Sequence, residues 1–307
     1  MTEWSQGADN ETGRRRSSLN RSRSALLNQA YKDSRQYRFA YLIRSRQDFP
    51  EDFPPLAEQA FFPALFLPRG GADWFDRSAN PPRVLSCAGE GLEVHFHPES
   101  GRPPVSFPCN EYLSIEIGRM LLIGWIRFAS KEADLKLPYN RRVDEPVHVF
   151  LGMLRARLLR PDAVLRADQA FLGDAPDLKF RNALNHEMDE GETERVRLFI
   201  APRTHRSGYW PFRIRRSTPG HLIALTDRRL LWITESYQRT RALYGSVVCY
   251  AHPGNVAHVD ANFRLSISLR NGKTWILDIP EEMRSDAREF AALAEARMTT
   301  RVAEGQS

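Results

Sequence analysis

An internal repeat constrains this chain more than any other feature of its sequence. One copy reads Val84-Leu-Ser-Cys-Ala-Gly-Glu-Gly-Leu-Glu-Val-His-Phe96, and the other reads Leu222-Ile-Ala-Leu-Thr-Asp-Arg-Arg-Leu-Leu-Trp-Ile-Thr234. Each is an apolar run, a four-residue turn and a second apolar run, which is the pattern of a β-hairpin. Self-similarity over such a distance predicts that one supersecondary unit is used twice.

The segments after the two hairpins are also parallel. Strands are expected over residues 105–117, 120–128 and 135–137 after the first, and over 243–250, 256–260, 263–269 and 274–279 after the second. Asn271-Gly272 is the strongest short hairpin signal in the chain. Phe263, Leu265, Ile267 and Leu269 alternate with polar residues, as a half-buried strand should. Leading strands are available over 61–67 and 195–201.

Each copy then closes in a helix. Asp144 can cap the first, Pro146 sits in its first turn, and Val147, Phe150, Leu151, Leu154 and Leu158 form one stripe. Pro280 opens the second, with Met283, Ala287, Phe290, Ala291 and Ala294 as its stripe. Burying such a stripe contributes roughly 1.5–3 kcal/mol per large side chain fully covered, enough for a helix to plug the open end of a small β-roll. Residues 177–188 between the copies read as a connecting helix, with Leu178, Ala183, Leu184 and Met188 apolar. The expected fold is mainly β (α+β): two seven-stranded antiparallel rolls facing one another, each with a C-terminal capping helix, plus the connecting helix. Leu230, Leu231, Trp232 and Ile233 are apolar on both strand faces, so this sheet needs a cover on each side: the first roll, the connecting helix or a second chain.

The segment around Thr226-Asp-Arg-Arg229 resembles the central hairpin of bacterial pleckstrin-homology-like (PH-like) domains, and Gly191-Glu192 followed by a strand fits the same pattern. The resemblance covers about residues 177–297. The first half shares it through the repeat alone, with Ala-Gly-Glu-Gly where the second half has Thr-Asp-Arg-Arg. The resemblance implies seven strands plus a C-terminal helix and a binding module rather than an enzyme. It implies no particular ligand, because such domains serve lipid binding, protein binding and oligomerisation. The expected organisation is a basic, mostly disordered arm (1–46), a first PH-like domain (47–165), a second with its preceding helix (166–300) and a tail (301–307).

Charge sharpens the functional reading. The formal charge is +6, and residues 1–46 hold ten basic and four acidic residues, so the remainder is balanced at 34 against 34. Such an arm is too poor in apolar residues to offset its ordering entropy. It can bind nucleic acid or anionic lipid by counterion release, or serve as a solvated tail. Nucleic acid is the weaker reading, since the body carries no surplus of positive charge.

Within the body, residues 203–216 contain Arg203, Arg206, Arg213, Arg215 and Arg216 and no acid, interleaved with Tyr209, Trp210 and Phe212. In the expected fold this is the loop between the first and second strands of the second roll, where lipid-binding relatives hold headgroup phosphates. Arginine's planar fork donates two bonds to a phosphate at once, and Tyr and Trp suit a lipid interface. The five arginines are candidate phosphate ligands, and the three aromatics candidate membrane or partner contacts. At roughly 1 kcal/mol per basic residue the set supports weak, reversible attachment, with the arm as a second signal. The alternative is an edge strand over 209–214 with solvated arginines and a buried Trp210.

Little else points to chemistry. His95 and His97 lie two apart on a polar strand face without an accompanying ligand set, and position 190 is Glu, so His186-Glu187 is no His-Glu-x-x-His motif. No phosphate loop, nucleophile elbow or paired Cys/His spacing is present. Cys87, Cys109 and Cys249 are an odd set without close spacing, which argues against a disulfide framework and for a reducing, cytoplasmic setting. No 18-residue apolar run exists, so no transmembrane segment is expected. The first 30 residues carry no apolar leader core. The expectation is a non-catalytic module without a cofactor, at an anionic lipid surface or on a protein partner, peripheral to the membrane. A homodimer or a purely structural scaffold is the competing class.

Overall fold

The computed structural model describes residues 39–56, 58, 60–69, 81–89, 91–108, 113–120, 122–158, 169–207, 214–238 and 243–304. The chain is mainly β. Five antiparallel strands, β1 (Tyr41–Ile43), β2 (Ala60–Leu67), β3 (Arg83–Ala88), β4 (Gly91–Phe96) and β5 (Val105–Pro108), form one sheet in that order. Next along the chain are β6 (Ser114–Met120), β7 (Ile123–Ala129), β8 (Asp134–Asn140) and helix α1 (Glu145–Leu158). Strand β9 (Ala170–Gly173) and helix α2 (Leu178–Glu187) lead into β10 (Glu194–Ile200), and β11 (Arg203–Ser207) and β12 (Ile214–Thr218) form a separate two-stranded sheet. Then come β13 (His221–Thr226), β14 (Leu230–Gln238), β15 (Leu243–Ala251), the three-stranded sheet of β16 (Val256–Ala261), β17 (Arg264–Leu269) and β18 (Thr274–Asp278), and helix α3 (Arg284–Glu304).

The centre of the molecule is an eight-stranded sheet in the order β8-β7-β6-β15-β14-β13-β10-β9. Two rolls facing one another were expected; instead β6 of the first half pairs antiparallel with β15 of the second, from Ser114 opposite Ala251 to Arg119 opposite Ser246. The halves are therefore joined edge to edge. Backbone pairing satisfies a row of donors and acceptors that each half would otherwise leave open. Gly245 permits the join: a Cβ there would lie 2.2 Å from the Arg119 carbonyl oxygen.

Strand alternation then builds two cores on opposite faces of one sheet. Leu222, Ala224, Leu231, Ile233, Val248 and Tyr250 face the first half and α2, packing with Phe180, Leu184, Phe150 and Leu154. Ile223, Leu225, Leu230 and Ala251 face the other way, against β16–β18 and α3 through Leu265, Ile267, Leu277, Ala287 and Phe290. The doubly apolar hairpin thus has its two covers, and the connecting helix is one of them. Asp177 caps α2, its carboxylate accepting from the Phe180 amide at 2.9 Å.

Several expectations are corrected. The arm was placed over 1–46, but Tyr41–Ile43 is an edge strand on β2, because its Ile43 is buried with Phe53, Phe66 and Val84. Residues 1–38 lie outside the described residues. The C-terminal helix runs through Glu304, past the expected boundary at 300. Leu178 is 66% exposed, and the buried face of α2 is Phe180, Leu184 and Glu187. Phe263 is not on the buried face of β17: the strand begins at Arg264, and Phe263 sits in the preceding turn, 73% exposed. His95 is buried rather than on a wet face, its Nε2 lying 3.0 Å from the Glu93 carboxylate. Asn271-Gly272 does turn a hairpin, between β17 and β18. The loop has three residues, with the Gly272 amide donating to the Leu269 carbonyl and Gly272 at φ 84°, so the extra residue is absorbed in the left-handed region.

Candidate binding site

The motif that carries the family resemblance is a structural lock. Thr226 Oγ1 accepts from the amides of Arg228 and Arg229 at 3.1 and 2.9 Å and donates to Glu192 at 2.5 Å. Asp227 exchanges bonds with Thr193, its amide donating to the carbonyl and its carboxylate accepting from the amide. Arg229 is fully buried, and its guanidinium forks onto Glu192 and reaches Asp189 at 2.9 Å. The motif ties the β13–β14 turn to the entry of β10.

A second buried polar cluster lies at the seam between the halves. Glu187, 1% exposed, accepts from Arg119 on β6 at 2.5 Å, from Arg155 on α1 at 3.2 Å and from the Tyr250 hydroxyl on β15. Burial alone would raise the Glu187 pKa, but the Arg119 charge, the hydrogen bonds from Tyr250 and Arg119 and the Arg155 charge together outweigh it and hold the carboxyl below its ordinary range. Tyr250 is pushed well up, first by burial and then by the Glu187 charge, so its phenol stays a donor. The guanidinium groups of Arg155 and Arg229 lie 5.1 and 5.8 Å from the Tyr250 ring centre and link the two clusters. The sequence signal was a carboxylate three residues after Leu184, on the apolar side of α2. Arg119 and Arg155 gave no signal, because their partners come from distant segments.

Beside this seam, β18 overhangs the central sheet and leaves a groove of about 350 Å³ whose lining includes Trp232, Trp275, Cys249, Arg127, Glu116 and Lys273. Burial pushes the Cys249 thiol well up, which keeps it protonated and unreactive. Asp134, held at about 2 first by its hydrogen bonds from Arg127, is clasped by Arg127 at 2.7 Å and by Lys273 of the other half. The groove is of a size that accommodates a small ligand or side chains. Among the described residues, no cluster of three or more His, Cys, Asp or Glu is placed to hold a metal ion.

The arginine segment is a β-hairpin, not the loop expected. Arg203 lies opposite Thr218, His205 opposite Arg216, and Arg206 opposite Arg215. Only its two strands are described; Arg213, Tyr209, Trp210 and Phe212 lie outside the described residues, and so does most of the alternative 209–214 edge strand. Arg203, at the root, forms an ion pair with Glu282, so this candidate ligand is already engaged within the fold. His97, the other sequence candidate, caps a 3-10 turn: its Nδ1 accepts from the Glu99 amide at 3.3 Å while Nε2 meets Asp52 at 3.0 Å. His186 stacks edge-on with His148 at 5.1 Å on the helices, while His95 and His97 are engaged with Glu93 and Asp52.

Compared with known proteins, the chain matches no family model, no curated protein and no solved structure. No helix among the described residues is long and apolar enough to cross a membrane.

Proposed function

We propose that the chain is a tandem pair of PH-like modules, over residues 47–165 and 166–300, that binds an anionic surface or partner through the β11–β12 hairpin and catalyses no reaction. The fold part of this reading is supported by strand order. Four consecutive strands (β2–β5), three more (β6–β8) and a helix are succeeded by four in sheet order (β10, β13, β14, β15), three more (β16–β18) and a helix. The observation that carries the functional part is the register of Arg206 opposite Arg215. Like charges directly opposite one another on antiparallel strands are destabilising. A phosphate or carboxylate that accepts from both would relieve that repulsion.

The reading is tested by vesicle sedimentation of the full chain at low and high salt, with phosphatidylserine-containing membranes. Binding that survives deletion of residues 1–35 and is lost in Arg206→Glu/Arg215→Glu supports it. Loss on arm deletion alone, with the hairpin variant unaffected, overturns it in favour of nonspecific arm electrostatics. No binding, with a stable dimer in light scattering, favours a structural scaffold.

A further inference from the structure

Phe263, in the turn between β16 and β17, is the most exposed large apolar side chain among the described residues, at 73%. A single exposed apolar residue is ordinary, but the surroundings of this one are not. Its carbonyl accepts from the Ile279 amide at 3.3 Å, which pins the turn to the end of β18. The Arg284 guanidinium lies 4.8 Å from its ring centre, and the adjacent Arg264 side chain is 64% exposed. Glu282, two residues before Arg284, is the ion-pair partner of Arg203 at the root of the basic hairpin. The apolar tip and the arginine hairpin therefore share one end of the molecule. Three acids at this end are matched, Asp278 with Arg264 at 2.7 Å, Glu281 with Arg284 at 3.5 Å and Glu282 with Arg203, while Asp260, in the Phe263 turn, accepts from the neutral Asn262 amide at 3.1 Å. The hairpin arginines beyond them give the end a positive surplus.

Resting on the hairpin reading above, we infer that this end docks on an anionic bilayer, with the Phe263 ring entering the headgroup–acyl boundary while the arginines meet lipid phosphates. A soluble phosphate or an acidic protein would use the arginines and gain nothing from an exposed apolar tip at the same end. A bilayer interface takes both, the ring by burial and the cations by attraction to the surface potential. Two weak signals together give stable attachment where either alone is marginal. Arg284, 4.8 Å from the ring centre, is placed to reach headgroups as the ring enters, as basic residues do when they snorkel.

The experiment uses the full chain, vesicles of phosphatidylcholine with and without phosphatidylserine, and heparin as a soluble polyanion. Phe263→Ala is expected to weaken binding to the phosphatidylserine vesicles by about tenfold, at low and high salt alike, because burial of a ring is not screened. Heparin binding is expected to stay unchanged. Phe263→Trp is expected to retain vesicle binding and to add indole emission that brominated lipids quench, relative to the wild type. If Phe263→Ala binds vesicles like the wild type while Arg206→Glu/Arg215→Glu abolishes binding, the inserted tip is wrong and the hairpin reading stands. Heparin binding without vesicle binding overturns the bilayer and leaves the basic hairpin. Binding to neither overturns both.

Discussion

Arg229 and Glu192 form a forked ion pair with no solvent exposure on either side chain, the Arg229 Nε donating to Oε1 at 2.8 Å and Nη2 donating to Oε2. Burial alone would raise the Glu192 pKa; the bonds and charge of Arg229 outweigh it and hold the carboxyl below its ordinary value. Such a pair adds little net stability over an apolar replacement, yet removing one partner strands a charge in the core. Arg229→Met is expected to cost about 3–5 kcal/mol in urea unfolding. Arg229→Met/Glu192→Leu is expected to recover much of that loss. Additive losses in the double variant would show that the pair is not the lock described.

Gly245 holds the two halves together by lacking a side chain. A Cβ would meet the Arg119 carbonyl oxygen at 2.2 Å and the Met120 Cα at 3.1 Å, both backbone atoms that cannot step aside. Gly245→Val is expected to unzip β6 from β15 at that end. Hydrogen exchange should show lost protection in both strands, while β17, which pairs with neither of them, keeps its own.

Asn271 does more than turn a hairpin. Its Nδ2 donates to the Ser114 hydroxyl at 2.9 Å and to the Ala129 carbonyl at 3.0 Å, across to the first half, and the residue is only 7% exposed. Asn271→Ala leaves a buried carbonyl and hydroxyl with fewer donors and is expected to cost about 1–3 kcal/mol. Asn271→Asp should cost at least as much, because it replaces the donor with an acceptor. Chemical denaturation of both variants measures this; an unchanged midpoint would remove Asn271 from the seam.

His221 makes stability depend on acidity. Its ring lies 5.9 Å from Trp232, its Nδ1 is buried without a partner, and burial lowers its pKa to about 4. The unfolded chain binds this proton near the ordinary value of about 6.5 while the folded chain does not. The contribution is therefore complete above about pH 6.5 and is lost as pH falls toward 4, by on the order of 3 kcal/mol. His221→Phe keeps the packing on Trp232 and is expected to flatten the wild-type loss of stability between those two pH values, read as melting temperature across the range.

What the sequence determined by itself is local. Two-residue alternation in Leu265, Ile267 and Leu269 placed β17, the apolar stripe of Val147, Phe150, Leu151 and Leu154 placed α1, and Asp177 marked the start of α2; each is a relation between neighbours in the chain. The unbroken apolar run Leu230–Ile233 also foretold, as a requirement, a cover on both faces of Leu222–Ile233. Alternation could not say where a strand stops, so Phe263 was read into the buried face and proved to be the exposed tip. Tertiary structure alone decided the β6–β15 join, the Glu187 cluster and the Arg203–Glu282 ion pair. Each depends on groups 32 or more residues apart meeting within hydrogen-bond reach. A carboxylate or an open strand edge carries no mark, in its own neighbourhood, of the distant partner that satisfies it.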